Sequence, residues 1–222
     1  MKNLPDNRIF LILGTVLDIV WLSILWYLGS ILIVTAGAAS CALYYTVHVR
    51  IFRGEGYIFS TCRKAFKENF KKATILWMIC LVIDVFLLID LRLSEMAIEQ
   101  GSALAMFYYP VFVCLILAVM WQLSIVAYQA RFEDTIGAVL LKSAVTAAGN
   151  MGWMIFLVLI LAGAVYLCRY LIFMVLLLPG GYACLMHHVF EHIYRKKGWI
   201  KESEEENNGQ YAEGLNNEEI EA

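Results

Sequence analysis

The sequence predicts an all-α protein, a polytopic transmembrane helix bundle of about six spans with two cytoplasmic interfacial helices, and three observations carry that reading. Hydrophobic residues make up 61% of the 222-residue chain against 16% charged, and the mean hydropathy is +0.70, well outside the range of soluble domains. The apolar residues fall into runs near the ~20 residues that an α-helix needs to cross a bilayer. Fifteen of the seventeen Lys and Arg residues then lie on one side of a six-span arrangement, leaving only Arg92 and Arg169 on the other, which is the positive-inside asymmetry. The formal net charge of -2 carries little information about partners, because eight of the nineteen acids follow Lys201.

Taken in order, residues 1–8 are polar, and Ile9 opens an apolar run reaching Val34 with Asp18 as its one charge. Signal-peptide cores are ~7–15 residues, shorter than this run. The small residues of Ala36–Ser40 instead suit a tight turn between closely packed helices, placed between Gly29 and Gly37, with the second helix ending near Val49. Further apolar runs cover about 73–91, 103–127, 151–168 and 170–194. A charge at the centre of one long span costs on the order of 3 kcal/mol by insertion scales, so Arg169 belongs in a hairpin between the last two. Pro179-Gly180-Gly181 then reads as a kink in the last helix, tolerated where neighbours satisfy the freed carbonyl. Trp77, Tyr128, Trp153 and Tyr194 mark inner boundaries, and Trp26, Tyr108 and Tyr170 outer ones. Both termini are expected in the cytoplasm. A five-span alternative makes Ala38–Val49 a short re-entrant helix and moves the N-terminus outside, against the charges of Lys2 and Arg8. Residues 1–201 form the helical domain, and residues 202–222, acidic and poor in apolar side chains, are expected to be a disordered tail.

The most basic surface lies between Arg50 and Lys72, where seven cations (Arg50, Arg53, Arg63, Lys64, Lys67, Lys71, Lys72) face two acids, Glu55 and Glu68. Gly54 and Gly56 bracket a turn. Beyond it Phe59, Cys62, Phe66, Phe70 and Ala73 recur at helical spacing, and Arg63, Lys67 and Lys71 stack four apart on the other face. Like charges in that register repel unless something anionic covers them, and Glu68 offers only partial relief by pairing with Lys64 or Lys72. Anionic lipid headgroups and an acidic groove on another protein are the two partners this helix suits. A second cytoplasmic connection, Tyr128–Asn150, has the same plan, with Asp134 as the expected N-cap of its helix.

The segments GSILIVTAGAASCALYY and GYIFSTCRKAFKENFKKAT, with ARFEDTIGAVLLKSA further on, resemble the YesL-like family of bacterial integral membrane proteins, which carry a domain of unknown function. The chain differs in having Ile31-Leu32 where that family usually has Leu-Pro. The resemblance implies a context of carbohydrate uptake and polysaccharide degradation.

Four features are candidates for chemistry. Asp18 and Asp84 fall within apolar runs, where a carboxylate must be protonated, paired or wetted. Such a pair either lines a proton, cation or polar-substrate path or is hydrogen-bonded inside the bundle to groups such as Ser23, Ser124 or Tyr45. Gln122 and Asn150 read as interhelical hydrogen-bonders. His188, Glu191 and His192 form an HxxEH string of the kind that binds zinc in inverted zincins, but no third ligand follows in structured sequence, and interfacial histidines continuing from His187 are the reading we adopt. Six cysteines without a CxxC motif behave as small apolar residues, and no disulfide is expected.

No catalytic residue, cofactor site or metal site is assigned, and the chain is read as non-enzymatic. The phenylalanines of the basic stretch follow a seam suited to lipid or protein burial, which speaks against nucleic acid. The expected partners are the lipid bilayer and, from the resemblance, a carbohydrate ABC importer or its regulator in the cell membrane. Arg63, Lys64, Lys67, Lys71 and Lys72 are the expected docking or lipid-binding residues. The alternative is a small transporter or channel using Asp18 and Asp84.

Overall fold

The computed structural model describes residues 4–100 and 102–199, so the tail at 202–222 and the topology marker Lys2 lie outside the described residues. Seven α-helices follow one another: α1 (Leu4–Gly29), α2 (Ala36–Thr46), α3 (Ile58–Glu99), α4 (Tyr108–Arg131), α5 (Ile136–Gly149), α6 (Met151–Cys168) and α7 (Ile172–Lys196). Among the described residues there is no strand. Three helical stretches among the described residues are long and apolar enough to cross a membrane, Ile58–Glu99, Ala105–Arg131 and Met151–Cys168. Their outward faces are apolar: Val82, Phe86 and Leu93 on α3 and Leu159 and Val165 on α6 are each more than half exposed. A soluble monomer rarely tolerates apolar surface on that scale, and the protein is a helical membrane protein.

The first break falls where the small-residue pattern places it, although no proline is present. Gly29 ends α1, and the hydroxyl of Thr35 donates to its carbonyl at 2.7 Å and to that of Leu32 at 2.9 Å. The bond to Gly29 satisfies one of the acceptors which a helix C-terminus leaves without partners, while the Leu32 carbonyl, outside α1, also accepts from the Thr35 N–H. After the break α2 runs through the centre of the bundle, with Ala38, Ala42 and Thr46 fully buried. Its small side chains let neighbouring backbones approach closely. A Cβ on Gly37 would collide with the side chain of Trp77 and sit 3.2 Å from the carbonyl oxygen of Ala73. The Trp77 indole also donates to the carbonyl of Ile33 at 2.8 Å, pinning the turn to α3.

Past Thr46 the helix widens into a π-type turn over Val47–Phe52, which carries His48 and Arg50. Gly54 (φ 72°) and Gly56 (φ 71°) then take the left-handed backbone that the connection requires, as their spacing suggested.

The amphipathic stretch and the next span do not form two helices. They are one 42-residue helix, α3, about 63 Å long at 1.5 Å per residue against a hydrocarbon core of ~30 Å. No Pro or Gly interrupts residues 58–99, so nothing in the backbone ends the helix at Ala73. The second connection does carry a separate helix, α5. Its N-cap position is Thr135, which makes no side-chain cap bond, and Asp134 is used elsewhere.

The hairpin at Arg169 is present between α6 and α7. Pro179 lies inside α7, where its missing N–H frees the carbonyl of Val175. The Tyr27 hydroxyl of α1 donates to that carbonyl at 2.9 Å. One residue on, the Gly180 N–H donates to Ser23 Oγ at 3.0 Å while Ser23 donates to the Ile19 carbonyl at 2.9 Å. A Cβ at Gly180 would stand 2.6 Å from the Ile19 oxygen, so glycine is what allows α1 and α7 to touch here.

Candidate functional site

The exposed side of α3 holds the expected basic residues. Arg63, Lys64, Lys67 and Lys71 are exposed and Lys72 is half-buried, and none of the five forms an ion pair among the described residues. Glu68 pairs with neither Lys64 nor Lys72, so the expected internal relief of the ridge is absent. The inward face also differs from the expected one. Ala65, Ala73, Leu76 and Cys80 are buried, while Phe59 and Phe70 are 57% and 40% exposed. The helix rotates its small residues toward the small residues of α2 and leaves two phenylalanines outside beside the cations.

The two carboxylates do not share a path. Asp18 Oδ2 lies 3.4 Å from Arg50 Nε, a partner from the π turn at the head of the basic loop. Asp84 accepts a 2.6 Å hydrogen bond from Gln122 Nε2 across α3 and α4, so Gln122 is the interhelical hydrogen-bonder expected of it. The proposed partners are engaged elsewhere. Ser23 holds Gly180, Ser124 donates to the Met120 carbonyl, and Tyr45 is exposed. Asn150 donates to the Thr146 carbonyl one turn back in its own sequence at 3.0 Å, so it does not bridge helices.

The HxxEH string separates. His188 and His192 are exposed, and His192 packs edge-on against Trp153. Glu191 turns inward, and so does His187, which is buried and does not continue an interfacial row. There they meet two residues that were not singled out from the sequence, His48 of the π turn and Arg131 at the end of α4. His48 Nδ1 and His187 Nε2 are 2.7 Å apart, and Arg131 Nη1 is 2.7 Å from His48 Nε2. Arg131 Nε is 2.6 Å from Glu191 Oε1, with Nη2 at 3.3 Å from Oε2. The His187 ring stacks on Phe52 with centroids 4.0 Å apart. A signal for part of this was present: His187 and Glu191 are four apart and share a helix face. Nothing local marks His48 or Arg131.

His48, His187 and Glu191 each point a ligand atom at the others within 4.8 Å, a donor set of the right types for a divalent metal. Arg131 weighs against that use. A guanidinium only donates, so His48 Nε2 accepts and the neutral ring carries its proton on Nδ1, the atom a metal would need. The proton then points at His187 Nε2, which leaves the His187 proton on Nδ1, a buried atom without a hydrogen-bond partner. The Arg131–His48–His187 chain is thus a hydrogen-bond relay anchored by the Arg131–Glu191 ion pair, and it ties the π turn that follows α2 to α4 and α7.

A second polar corner joins α4 to α5. Asp134 accepts from the Tyr128 hydroxyl at 2.5 Å and from Lys142 Nζ at 2.8 Å, while the Trp121 indole donates to the Leu140 carbonyl and to Ser143 Oγ. The Lys142 hydrogen bond, and after it that from Tyr128, holds the Asp134 carboxyl below the usual carboxylate range. The same contact with Asp134 raises Lys142.

Residues 19–91 match the family described as "Protein of unknown function, DUF624". The match takes in the C-terminal part of α1, all of α2, His48 and the α3 ridge, and stops short of Arg131, His187 and Glu191. No curated protein and no solved structure matches the chain. The YesL-like resemblance of this segment is consistent with that match.

Proposed function

We propose that the protein is a non-enzymatic, multi-pass protein of the cell membrane, with its basic loop cytoplasmic, that acts as an accessory or regulatory partner of a carbohydrate ABC importer. The observation that carries the reading is the α3 ridge: cations on successive turns, exposed, without ion pairs among the described residues, and flanked by outward phenylalanines. Uncompensated like charges at helical spacing destabilise an isolated helix, so an acidic surface from outside the chain is the partner they suit. The carbohydrate context comes from the YesL-like resemblance. The transport alternative is less well supported, since Asp18 and Asp84 each have a local partner and the two do not meet.

The test is co-purification from native membranes in mild detergent, comparing the unaltered protein with Arg63→Glu/Lys67→Glu/Lys71→Glu. Importer subunits should accompany the first and be lost from the second, and the association should weaken as salt rises past ~0.15 M, where the screening length is ~8 Å. If the reversal leaves the co-purified importer unchanged, the ridge is a topology signal and the docking reading fails.

A further inference from the structure

Between α1 and α3, with α2 as its floor, lies a cavity of about 150 Å³. Trp26 forms one wall, Ala39 and Ala42 the floor, Cys62 and Phe66 the other wall, and Arg63 stands at the rim. The volume is comparable to a cavity that takes up one benzene-sized apolar molecule, enough for a segment of one hydrocarbon chain. The walls ask for nothing polar, because the Trp26 indole N–H is already spent on Ser40 Oγ at 3.0 Å.

Two further observations say what enters it. Gly29, which also lines the cavity, leads directly into the turn Ile31–Val34, whose four apolar side chains are 74%, 66%, 69% and 45% exposed. Exposed apolar surface of that kind on a membrane protein faces hydrocarbon, which brings lipid tails beside the part of the slot that Gly29 lines. At the rim Arg63 has no ion pair among the described residues, and Lys67 follows one turn along. An apolar slot beneath an unpaired guanidinium is complementary to an amphiphile with a negative head, and a guanidinium matches phosphate oxygens in a bidentate way that an ammonium does not.

We propose that this slot binds one anionic phospholipid from the surrounding bilayer, with an acyl segment against Trp26 and Phe66 and its phosphate on Arg63. The site is separate from the protein-docking use of the ridge, because it needs the cavity and Arg63 and does not need Lys71.

The experiment uses the full-length protein in nanodiscs of phosphatidylcholine with or without phosphatidylglycerol. Alkylation of Cys62 by a maleimide, followed peptide by peptide in a mass spectrometer, should be several-fold slower when phosphatidylglycerol is present, because its chain covers the thiol. Native mass spectrometry should find one phosphatidylglycerol retained per protein. Arg63→Gln should lower the preference for phosphatidylglycerol over phosphatidylcholine about five-fold, the effect of one basic side chain at an anionic surface. Leu25→Trp, at a partly exposed lining position, should abolish retention with Arg63 intact, and the Cys62 rate reports on the slot without any substitution should that variant fold poorly. Equal Cys62 rates in the two lipids, or undiminished selectivity in Arg63→Gln, overturns the site. Protection of Cys62 by oleate in pure phosphatidylcholine, matching that by phosphatidylglycerol, overturns it in favour of a free fatty acid. Lys67→Glu/Lys71→Glu should disturb importer association and leave the Cys62 result in place, which separates this proposal from the docking one.

Discussion

Removing the Arg131 guanidinium should be among the most damaging single changes to the fold. Arg131 and Glu191 have side chains only 13% and 6% exposed and approach to 2.6 Å, and Arg131 also supplies the donor to His48 at 2.7 Å. Arg131→Met keeps much of the volume but leaves a buried carboxylate without its cation. Breaking a buried pair in this one-sided way costs about 3–5 kcal/mol, a shift of two to three and a half powers of ten in the folded-to-unfolded ratio at 1.4 kcal/mol per tenfold. Arg131→Met/Glu191→Met removes both charges. It should recover most of the loss, because replacing a buried pair by apolar groups is often close to neutral. The expected coupling between the two sites is therefore large and favourable, at least ~2 kcal/mol, within the range seen for residues in one network. Reversible unfolding in mixed micelles, followed by tryptophan fluorescence with each single and the double substitution, measures the cycle. A loss below ~1 kcal/mol for Arg131→Met, or a double variant no more stable than the single, would show that the cluster is solvated and that the relay described above does not hold the three helices.

Tyr27→Phe should cost on the order of 1 kcal/mol by stripping the Val175 carbonyl of its donor, and should cost nothing in a Pro179→Ala background, where the helix supplies its own N–H; equal losses in both backgrounds reject the assignment. Gly37→Ala should destabilise by ~1–3 kcal/mol through overpacking on Trp77, while Gly163→Ala, with open space around it, should be neutral or stabilising by up to ~1 kcal/mol; thermal unfolding of the two variants distinguishes them. Asp134 has a depressed folded value, so its contribution is present above the ordinary carboxylate value of ~3.9 and is lost as pH falls through the lower folded one; hydrogen exchange at the α4–α5 corner should be flat from pH 5 to 8 once corrected for intrinsic rates, rise below ~4, and lose that pH dependence in Asp134→Asn. A cysteine at Lys67, exposed on α3, should react with a membrane-impermeant reagent only after cells are opened; labelling of intact cells reverses the proposed orientation.

Composition and periodicity by themselves determined the class of this protein. Long apolar runs can only be helices in lipid, because every backbone group must be satisfied within its own segment, and this is why the breaks near Gly29 and at Arg169 and the turn at Gly54–Gly56 are legible from residue types. The basic ridge was legible for the same local reason, since residues four apart on a helix share a face whatever surrounds them. Where helices end was less so: α3 runs unbroken from Ile58 to Glu99, because a change from amphipathic to uniformly apolar composition alters a helix's surroundings without altering its hydrogen bonding. Partners of buried polar groups were not legible at all. Asp18 meets Arg50, Asp84 meets Gln122, and His48 meets His187 across 139 positions of chain. Such pairings depend on which helices become neighbours and how each is rotated, and that was settled by close contacts of small residues, Gly37 on Trp77 and Gly180 on Ile19. The same rotation turned Glu191 and His187 inward and left His188 and His192 outside, so the short motif read along the chain was divided by packing.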